Sequence, residues 1–525
     1  MNRDYTTDIP VQRGRILFLD DTHIEGQENL TRNFHQARRL CDHPLIVADI
    51  PTDLVNVSIY GTVLRSLPEG PGPEGPGPDD DLHMWYHAQR FTQAGQITRI
   101  CYACGRDGLN WEKPKIGSVP IEGSTEHNVV ADSMLIDRGS YSPGINVIHC
   151  PEEPDPTRRF RRIYQEPGGS FIAYSAEGIN WQKTDEFAFH GSDAACIFYD
   201  CLNRQYVACS IAEPAVGRFP RRRTPTIARS SDFRSWSDFH IAFACDDQDD
   251  RLLVERLEAR RSVLSYAIRD HYHQEVNNMF SFNYADMIIG IPVMFDCCGY
   301  DEWKGTPGGA GSGKDDAVTH PQIAWCCDPL LRDWRRPPLR EPFMPISEPP
   351  QWDCGFLSLA ESPVRMGDEL WFYYSGQDRS QQHPIFTLDR GWDYRQGQLQ
   401  GGISAARLRL DGFASLDADR QGGQITTRAF QLEGDGVEVN AVSYHGILAE
   451  VLDHRGERIP GFGVEQCVPM VGDSVRHQLR FRGGRLAQLR GRRIKLRLRL
   501  YGAMLFALVL KDSESTIYSM PGVMP

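Results

Sequence analysis

Apolar and polar positions alternate with a period of two over short runs of this chain, and Gly, Pro, Asp or Asn bounds each run. Val57-Ser-Ile-Tyr-Gly-Thr-Val-Leu64, Leu82-His-Met-Trp-Tyr-His87, Gln205-Tyr-Val-Ala-Cys-Ser210 and Glu369-Leu-Trp-Phe-Tyr-Tyr-Ser375 are examples. The period predicts strands and the punctuation predicts hairpins. One hairpin phrase returns: Cys104-Gly-Arg-Asp-Gly-Leu-Asn-Trp111, Tyr174-Ser-Ala-Glu-Gly-Ile-Asn-Trp181, Arg229-Ser-Ser-Asp-Phe-Arg-Ser-Trp236 and Trp325-Cys-Cys-Asp-Pro-Leu-Leu-Arg-Asp-Trp334. A degraded fifth copy runs Ile403-Ser-Ala-Ala-Arg-Leu-Arg-Leu-Asp-Gly412. In each, a strand ends and an acidic side chain accepts backbone N–H bonds in the turn. Gly supplies φ > 0 there, and in four copies a Trp starts the return strand. A hairpin cannot bury its apolar face alone, so the repetition predicts a closed array, a five-bladed β-propeller.

The expected organisation follows the chain. Residues 1–14 read as an arm and 15–416 as the propeller. Arg15-Ile-Leu-Phe-Leu-Asp-Asp21 is the expected strand that closes the ring onto the last blade. Blade one runs from Val57 to the turn at Trp111, interrupted by the Pro- and Gly-rich stretch 68–81. Blade two is expected from Asn128-Val-Val-Ala-Asp-Ser-Met-Leu-Ile136 to Trp181, and blade three from Asp193 to Trp236. Blade four contains Glu275-Val-Asn-Asn-Met-Phe280 and ends at Trp334, and blade five contains Trp352-Asp-Cys-Gly-Phe-Leu357. From 417 to 525 no Trp turn recurs, yet alternating runs such as Ile494-Lys-Leu-Arg-Leu-Arg-Leu500 continue. They predict a C-terminal β-sandwich of jelly-roll type, so the whole chain is expected to be all-β.

The net charge of −13 argues against nucleic acid and anionic membrane as partners. No run of 18 apolar residues predicts a membrane span, and Met1 to Pro10 lack the apolar core of a secretory signal. The fourteen cysteines are scattered, several inside apolar strands (Cys196, Cys209, Cys245). They read as reduced core thiols of a cytoplasmic protein.

In a propeller the innermost strands line a central funnel, so polar residues at their starts converge. Asp193, Glu275 and Asp353 are such residues. Asp20, Asp21 or Asp53 would join them from the N-terminal side. Carboxylates converging in a funnel fit cleavage of a glycosidic bond: one stays protonated to protonate the leaving oxygen, and another is ionised to attack or to activate water. Taken singly, each reads more simply as a turn residue. Asp270-His-Tyr-His-Gln-Glu275 sets His271 and His273 beside Glu275, as sugar contacts or as plain surface groups. Their i, i+2 spacing on a strand also admits a metal, but neither metal nor cofactor is expected. Trp85 and Trp352 are candidates for stacking on a sugar face or for the core.

These residues resemble segments of the five-bladed propeller glycoside hydrolases of families 32, 43 and 68, and of family 32 in the two-domain layout. Ser192-Asp193-Ala194 is similar to the family's Arg-Asp-Pro segment, which implies a transition-state stabiliser at Asp193. Gln274-Glu275-Val276 sits where its Glu-Cys segment carries the general acid/base. Trp352-Asp353-Cys354-Gly355-Phe356 is similar to the fifth-blade Asp-x-Gly segment at the sugar-binding floor. The chain departs from the family at Ser58, which falls where the blade-one nucleophile is expected. Asp53 or Asp21 then has to serve as base or nucleophile.

Three further motifs read as decoys. Gly308-Gly-Ala-Gly-Ser-Gly-Lys314 has phosphate-loop spacing, but Asp315 follows it and no strand–helix context surrounds it. Cys101-Tyr-Ala-Cys104 has redox spacing on a strand. Arg218-Phe-Pro-Arg-Arg-Arg223 reads as a solvated loop, or as a rim patch for an acidic or phosphorylated sugar. The expected function is a glycosidase acting on a furanoside or short oligosaccharide. A propeller phosphorylase and a non-catalytic carbohydrate-binding or scaffold propeller are the alternatives. A sialidase would need three channel-facing arginines, and the sequence does not place them.

Overall fold

The computed structural model describes residues 14–65, 82–92, 95–131, 135–136, 146–150, 153–166, 169–190, 192–217, 219, 221–264, 269, 272–298, 317–381 and 401–511. The side chains of 91–92, 95–96, 135–136, 166 and 192–195 are outside that description. The stretch at 68–81, the glycine-rich 308–314, His271 and nearly all of the arm at 1–14 also lie outside the described residues.

Five antiparallel sheets follow one another along the chain, each on a four-strand plan. Their innermost strands begin at Asn56–Ser58, Ile148–His149, Ser192–Asp200, His273–Tyr284 and Phe356–Leu359. Neighbouring sheets pack face to face around a ring. Trp85 joins blades one and two, its indole donating to the Gly178 carbonyl at 2.6 Å. Ser192–Asp200 packs on His273–Tyr284, and Gly401–Arg409 of the last blade packs on Asn56–Ser58 of the first. This is a five-bladed β-propeller.

The recurring Trp turn is the hairpin between the third and fourth strands. In the first copy Asp107 accepts from the backbone N–H of Leu109 and Asn110 at 2.9 and 2.8 Å. In the third, Asp232 accepts from Arg234 and Ser235 at 2.8 and 2.7 Å, which holds its carboxyl down at about 2. The indole N–H of Trp111, Trp236 and Trp334 then donates back three residues, to Gly108, Phe233 and Leu331. Gly108 and Gly178 have φ of 74° and 80°, and Phe233 and Leu331 hold φ of 66° and 56° in the same place. Both apolar residues are buried, so packing offsets their backbone strain. Asp232→Ala should cost about 1 kcal/mol in urea unfolding, since it leaves two turn N–H groups to water. Asp232→Asn should recover most of that loss.

Two boundaries differ from the sequence expectation. Val129–Ala131 and Leu135–Ile136 do not open blade two; they pair with Gly95–Gly105 as the outer strand of blade one. Blades one to three thus continue past their Trp by one strand, and the outer strand of blade four begins at Trp334 itself. Nor does the segment starting at Arg15 close the ring. Arg15–Leu17 pairs with Ala503–Lys511, and Ile24–Glu28 and Thr31–Phe34 pair with Gly423–Thr427 and Ala414–Ala418. The ring is closed instead by Arg38–Arg39, paired with Arg407 and Ala406. A two-residue strand of arginines has no apolar alternation to give it away.

Residues beyond the fifth blade join these N-terminal strands in a ten-stranded sheet. Its longest strand, Gly436–Asp453, pairs with Ala503–Lys511 through its first half and with Arg493–Leu500 through its second. Asp411 links this unit to the ring: it accepts from Arg15 at 2.5 Å and from Tyr284 of blade four at 2.8 Å. The described residues include all fourteen cysteines, and no disulfide joins them. Among the described residues no helix is long and apolar enough to cross a membrane.

Candidate active site

The polar centre lies at the start of the innermost hairpin of blade four. His273–Tyr284 pairs with Met287–Cys297, placing His273 directly opposite Cys297 and Glu275 opposite Phe295. Side chains two apart on a strand share a face, as do directly paired residues. His273, Glu275 and Cys297 therefore point the same way. The Glu275 carboxylate is 3.5 Å from the His273 ring nitrogen, and the His273 ring stacks on Phe219 at 4.7 Å. Both residues are buried. Burial pushes the Glu275 carboxyl up, but the hydrogen bond and charge of His273, followed by the Arg223 charge, outweigh it and hold the group below its ordinary value. The protein therefore presents Glu275 ionised, where the family resemblance implies a protonated acid.

A buried scaffold fixes this strand. The helix Asp247–Ala259, capped by Asp246, is inserted between blades three and four. Its Asp250 accepts from the Gln274 backbone at 2.9 Å and from Arg222 at 2.5 Å, and Arg222 also donates to the Gln274 carbonyl. Arg256 of the same helix grips Asp296 with bonds of 2.7 and 3.0 Å, and Gln274 adds a third at 2.5 Å. His320, 3.4 Å from Asp296, is pushed down to about 3 by burial and stays neutral. Arg223 donates to the Asn277 carbonyl at 2.7 Å. Arg222 and Arg223, expected in a solvated loop or a rim patch, are thus buried anchors of the active strand.

The inner strands of the ring carry buried amides without partners among the described residues. Both side-chain polar atoms of Asn56 and of Asn278 are buried and unpaired among the described residues, as are Asn277 Nδ2 and Gln377 Oε1. Asn56 and Gln377 flank one backbone position: a Cβ placed on Gly401 would lie 2.6 Å from Asn56 Oδ1 and 3.3 Å from Gln377 Cγ. A Cβ there would push the Asn56 amide aside.

The other candidates fall into three groups. Asp193 lies on the innermost strand of blade three, which packs on the Glu275 strand, but its side chain is outside the described residues. Asp353 is buried and bound by Arg39 at 2.6 Å and Tyr374 at 3.1 Å, and the Trp352 ring stacks on Tyr374 at 5.8 Å beside it. The remaining three stand elsewhere. Asp53 is fully buried, held by Lys113 at 2.6 Å and Tyr86 at 2.8 Å. Asp21 is exposed and paired with Arg32, in the segment that joins the C-terminal sheet. Trp85 is core between two blades and presents no face to a ligand. Neither Asp53 nor Asp21 is brought to Glu275.

Sequence reasoning missed Glu361. It is buried just after the innermost strand of blade five and takes bonds from Thr62 of blade one at 2.8 Å and Cys196 of blade three at 3.5 Å. Burial raises its carboxyl to about 8. Thr62 also accepts from the Val147 backbone, so residues from blades one, two, three and five meet around one carboxylic acid.

No family model matches the chain, and no curated protein does either. Solved structures of similar fold are proteins that act on sugars. An N-acetylgalactosamine deacetylase from F. plautii, in complex with blood group B trisaccharide, is 11% identical, covers 74% of this chain and 97% of its own, and has a TM-score of 0.40. A glycosyl hydrolase from Bacteroides ovatus is 12% identical, covers 72% and 94%, and has a TM-score of 0.41. A family 32 β-fructofuranosidase from Bombyx mori, in complex with sucrose, is 10% identical, covers 90% and 92%, and has a TM-score of 0.36. At these values the likeness carries no argument about chemistry, which rests on the site itself.

Proposed function

We propose that the protein cleaves a glycosidic bond of a sugar bound at the mouth of the propeller, with Glu275 as the central carboxylate. The observation that carries this reading is the buried pair of Glu275 and His273, 3.5 Å apart, on an innermost strand whose Asn277 and Asn278 carry buried amide atoms with no partner among the described residues. An unpaired buried amide costs about 1–3 kcal/mol, and a polyhydroxyl ligand relieves that cost by supplying both donors and acceptors. Glu275, held as a carboxylate, accepts a proton from water or from an attacking hydroxyl. This replaces the role of resting general acid. Asp193, on the adjacent strand, is the candidate for the second carboxylate. The substrate class in this reading is a furanoside or short oligosaccharide.

A second reading, carbohydrate binding without cleavage, draws on the neutralised pairs Asp53–Lys113 and Asp353–Arg39. These pairings commit Asp53 and Asp353, so neither is free to serve Glu275 as a second carboxylate. A phosphorylase reading gains nothing from Arg222 and Arg223, which are committed to the scaffold.

The test is turnover of fructosides, arabinosides and chromogenic glycosides, with and without phosphate, by the wild type and Glu275→Gln. A loss of at least about a hundredfold, with an unchanged unfolding midpoint, is the expected result. Near-normal turnover by the variant would overturn the assignment. Binding without turnover by either protein selects the second reading.

A further inference from the structure

The face that carries Glu275 also carries a thiol. His273 and Cys297 are paired across the innermost strands of blade four, and Glu275 follows His273 by two residues. One ligand-capable atom from each of the three lies within 4.8 Å of the others, and all three residues are buried. We propose that His273, Glu275 and Cys297 form a binding site for a divalent cation of the zinc type, with a fourth position left for water or a sugar hydroxyl. This rests on the reading of the propeller mouth as a glycoside site, and it makes Glu275 a ligand that shares the activation of water with the metal.

The donor set selects the metal. Imidazole nitrogen, carboxylate oxygen and thiolate sulfur suit zinc, whereas calcium and magnesium take oxygen ligands. Tetrahedral zinc bonds place ligand atoms roughly 3.3–3.8 Å apart. The His273 and Glu275 atoms, at 3.5 Å, already stand at that spacing. The thiol, within 4.8 Å, needs a small contraction. Three protein ligands completed by a water are the pattern of a catalytic rather than a structural zinc.

The surroundings hold the trio in place. Asp296, next to Cys297, is locked by Arg256 and Gln274. Gln274, between His273 and Glu275, is tied through its backbone to Asp250 and Arg222. Arg223 is the positive charge that opposes the site. Its guanidinium is bound to the Asn277 carbonyl at 2.7 Å and lies 4.0 Å from the Glu213 carboxylate, partners that do not involve the three proposed ligands.

The experiment uses the full-length protein, stripped with chelator and titrated with Zn²⁺ by calorimetry and with Co²⁺ by absorption. One equivalent of each is expected, with a thiolate-to-cobalt charge-transfer band in the near ultraviolet. Cys297→Ser should lose that band and at least about tenfold in zinc affinity. Zinc should raise the thermal midpoint of the wild type but not of the variant. His273→Gln, which keeps Cys297, should weaken binding by a similar factor and serves if the serine variant does not fold. Absence of stoichiometric zinc in the wild type, or a charge-transfer band that survives in Cys297→Ser, would sink the proposal. Turnover by stripped protein that still needs Glu275 would reject the metal and keep the glycosidase. Stoichiometric zinc without turnover of any glycoside would do the reverse.

Discussion

Arg256→Met should lower the unfolding free energy by about 3–5 kcal/mol, measured by urea unfolding at neutral pH. Asp296 is fully buried, and the two bonds from Arg256 are what keep its charge tolerable there. Burial alone pushes the Asp296 carboxyl up, but the Arg256 charge outweighs it and holds the group below its ordinary range. Removing the guanidinium leaves a buried carboxylate with an amide and a neutral imidazole for company. Methionine fills much of the arginine stem's volume, so the loss reports the charge rather than a cavity. The companion change Asp296→Asn removes the orphaned charge. The double variant should therefore recover most of the loss, and an additive result would show that the two side chains do not act as a pair. The change also has a local reading. Arg256 ties the helix Asp247–Ala259 to the active hairpin, so amide exchange should quicken first in that helix and at the start of the His273–Tyr284 strand.

Glu361→Gln should make stability less dependent on pH and should stabilise the protein in alkali. The Glu361 carboxyl is raised from 4.5 to about 8, with burial as the leading cause. A group raised in the folded state binds protons more tightly there than in the unfolded chain. Its contribution is complete below the unfolded value near 4.5 and is lost as pH rises through about 8. The span corresponds to at most about 4–5 kcal/mol. The wild type should lose thermal stability steadily between pH 5 and pH 9, while the glutamine variant should lose much less and overtake it at the alkaline end. Parallel curves for the two proteins would show that Glu361 titrates normally. Its Thr62 and Cys196 contacts would then be ordinary hydrogen bonds to a carboxylate.

Local chemistry was legible in the sequence and distant pairing was not. The Trp turns could be read because acidic acceptor, left-handed residue and indole all lie within a few residues. The innermost strands at Asp193, Glu275 and Phe356 could be read from their apolar runs. Glu275 was singled out because it lies near the start of such a strand, beside two histidines. The partners that decide a carboxylate's fate come from elsewhere in the chain. Arg39 neutralises Asp353 from the closing strand, and Lys113 neutralises Asp53 from beyond a Trp turn. Glu361 looks like any strand-end glutamate until Thr62 and Cys196 arrive from two other blades. Cys297 carries no signal of its own, because its place opposite His273 depends on the register of one hairpin.

The strands at Arg15–Leu17, Ile24–Glu28 and Thr31–Phe34 find their partners only in the last hundred or so residues of the chain. On the ribosome they are made before the blades, and they must wait, unpaired, through the synthesis of all five. Arg38–Arg39 closes the ring as soon as the fifth blade emerges, while the segment before it is still a loose end. A chain cut after the propeller would carry three exposed strand edges ready to pair with another molecule. The C-terminal sheet thus acts as a molecular latch, and a truncated message should yield aggregate rather than a free propeller.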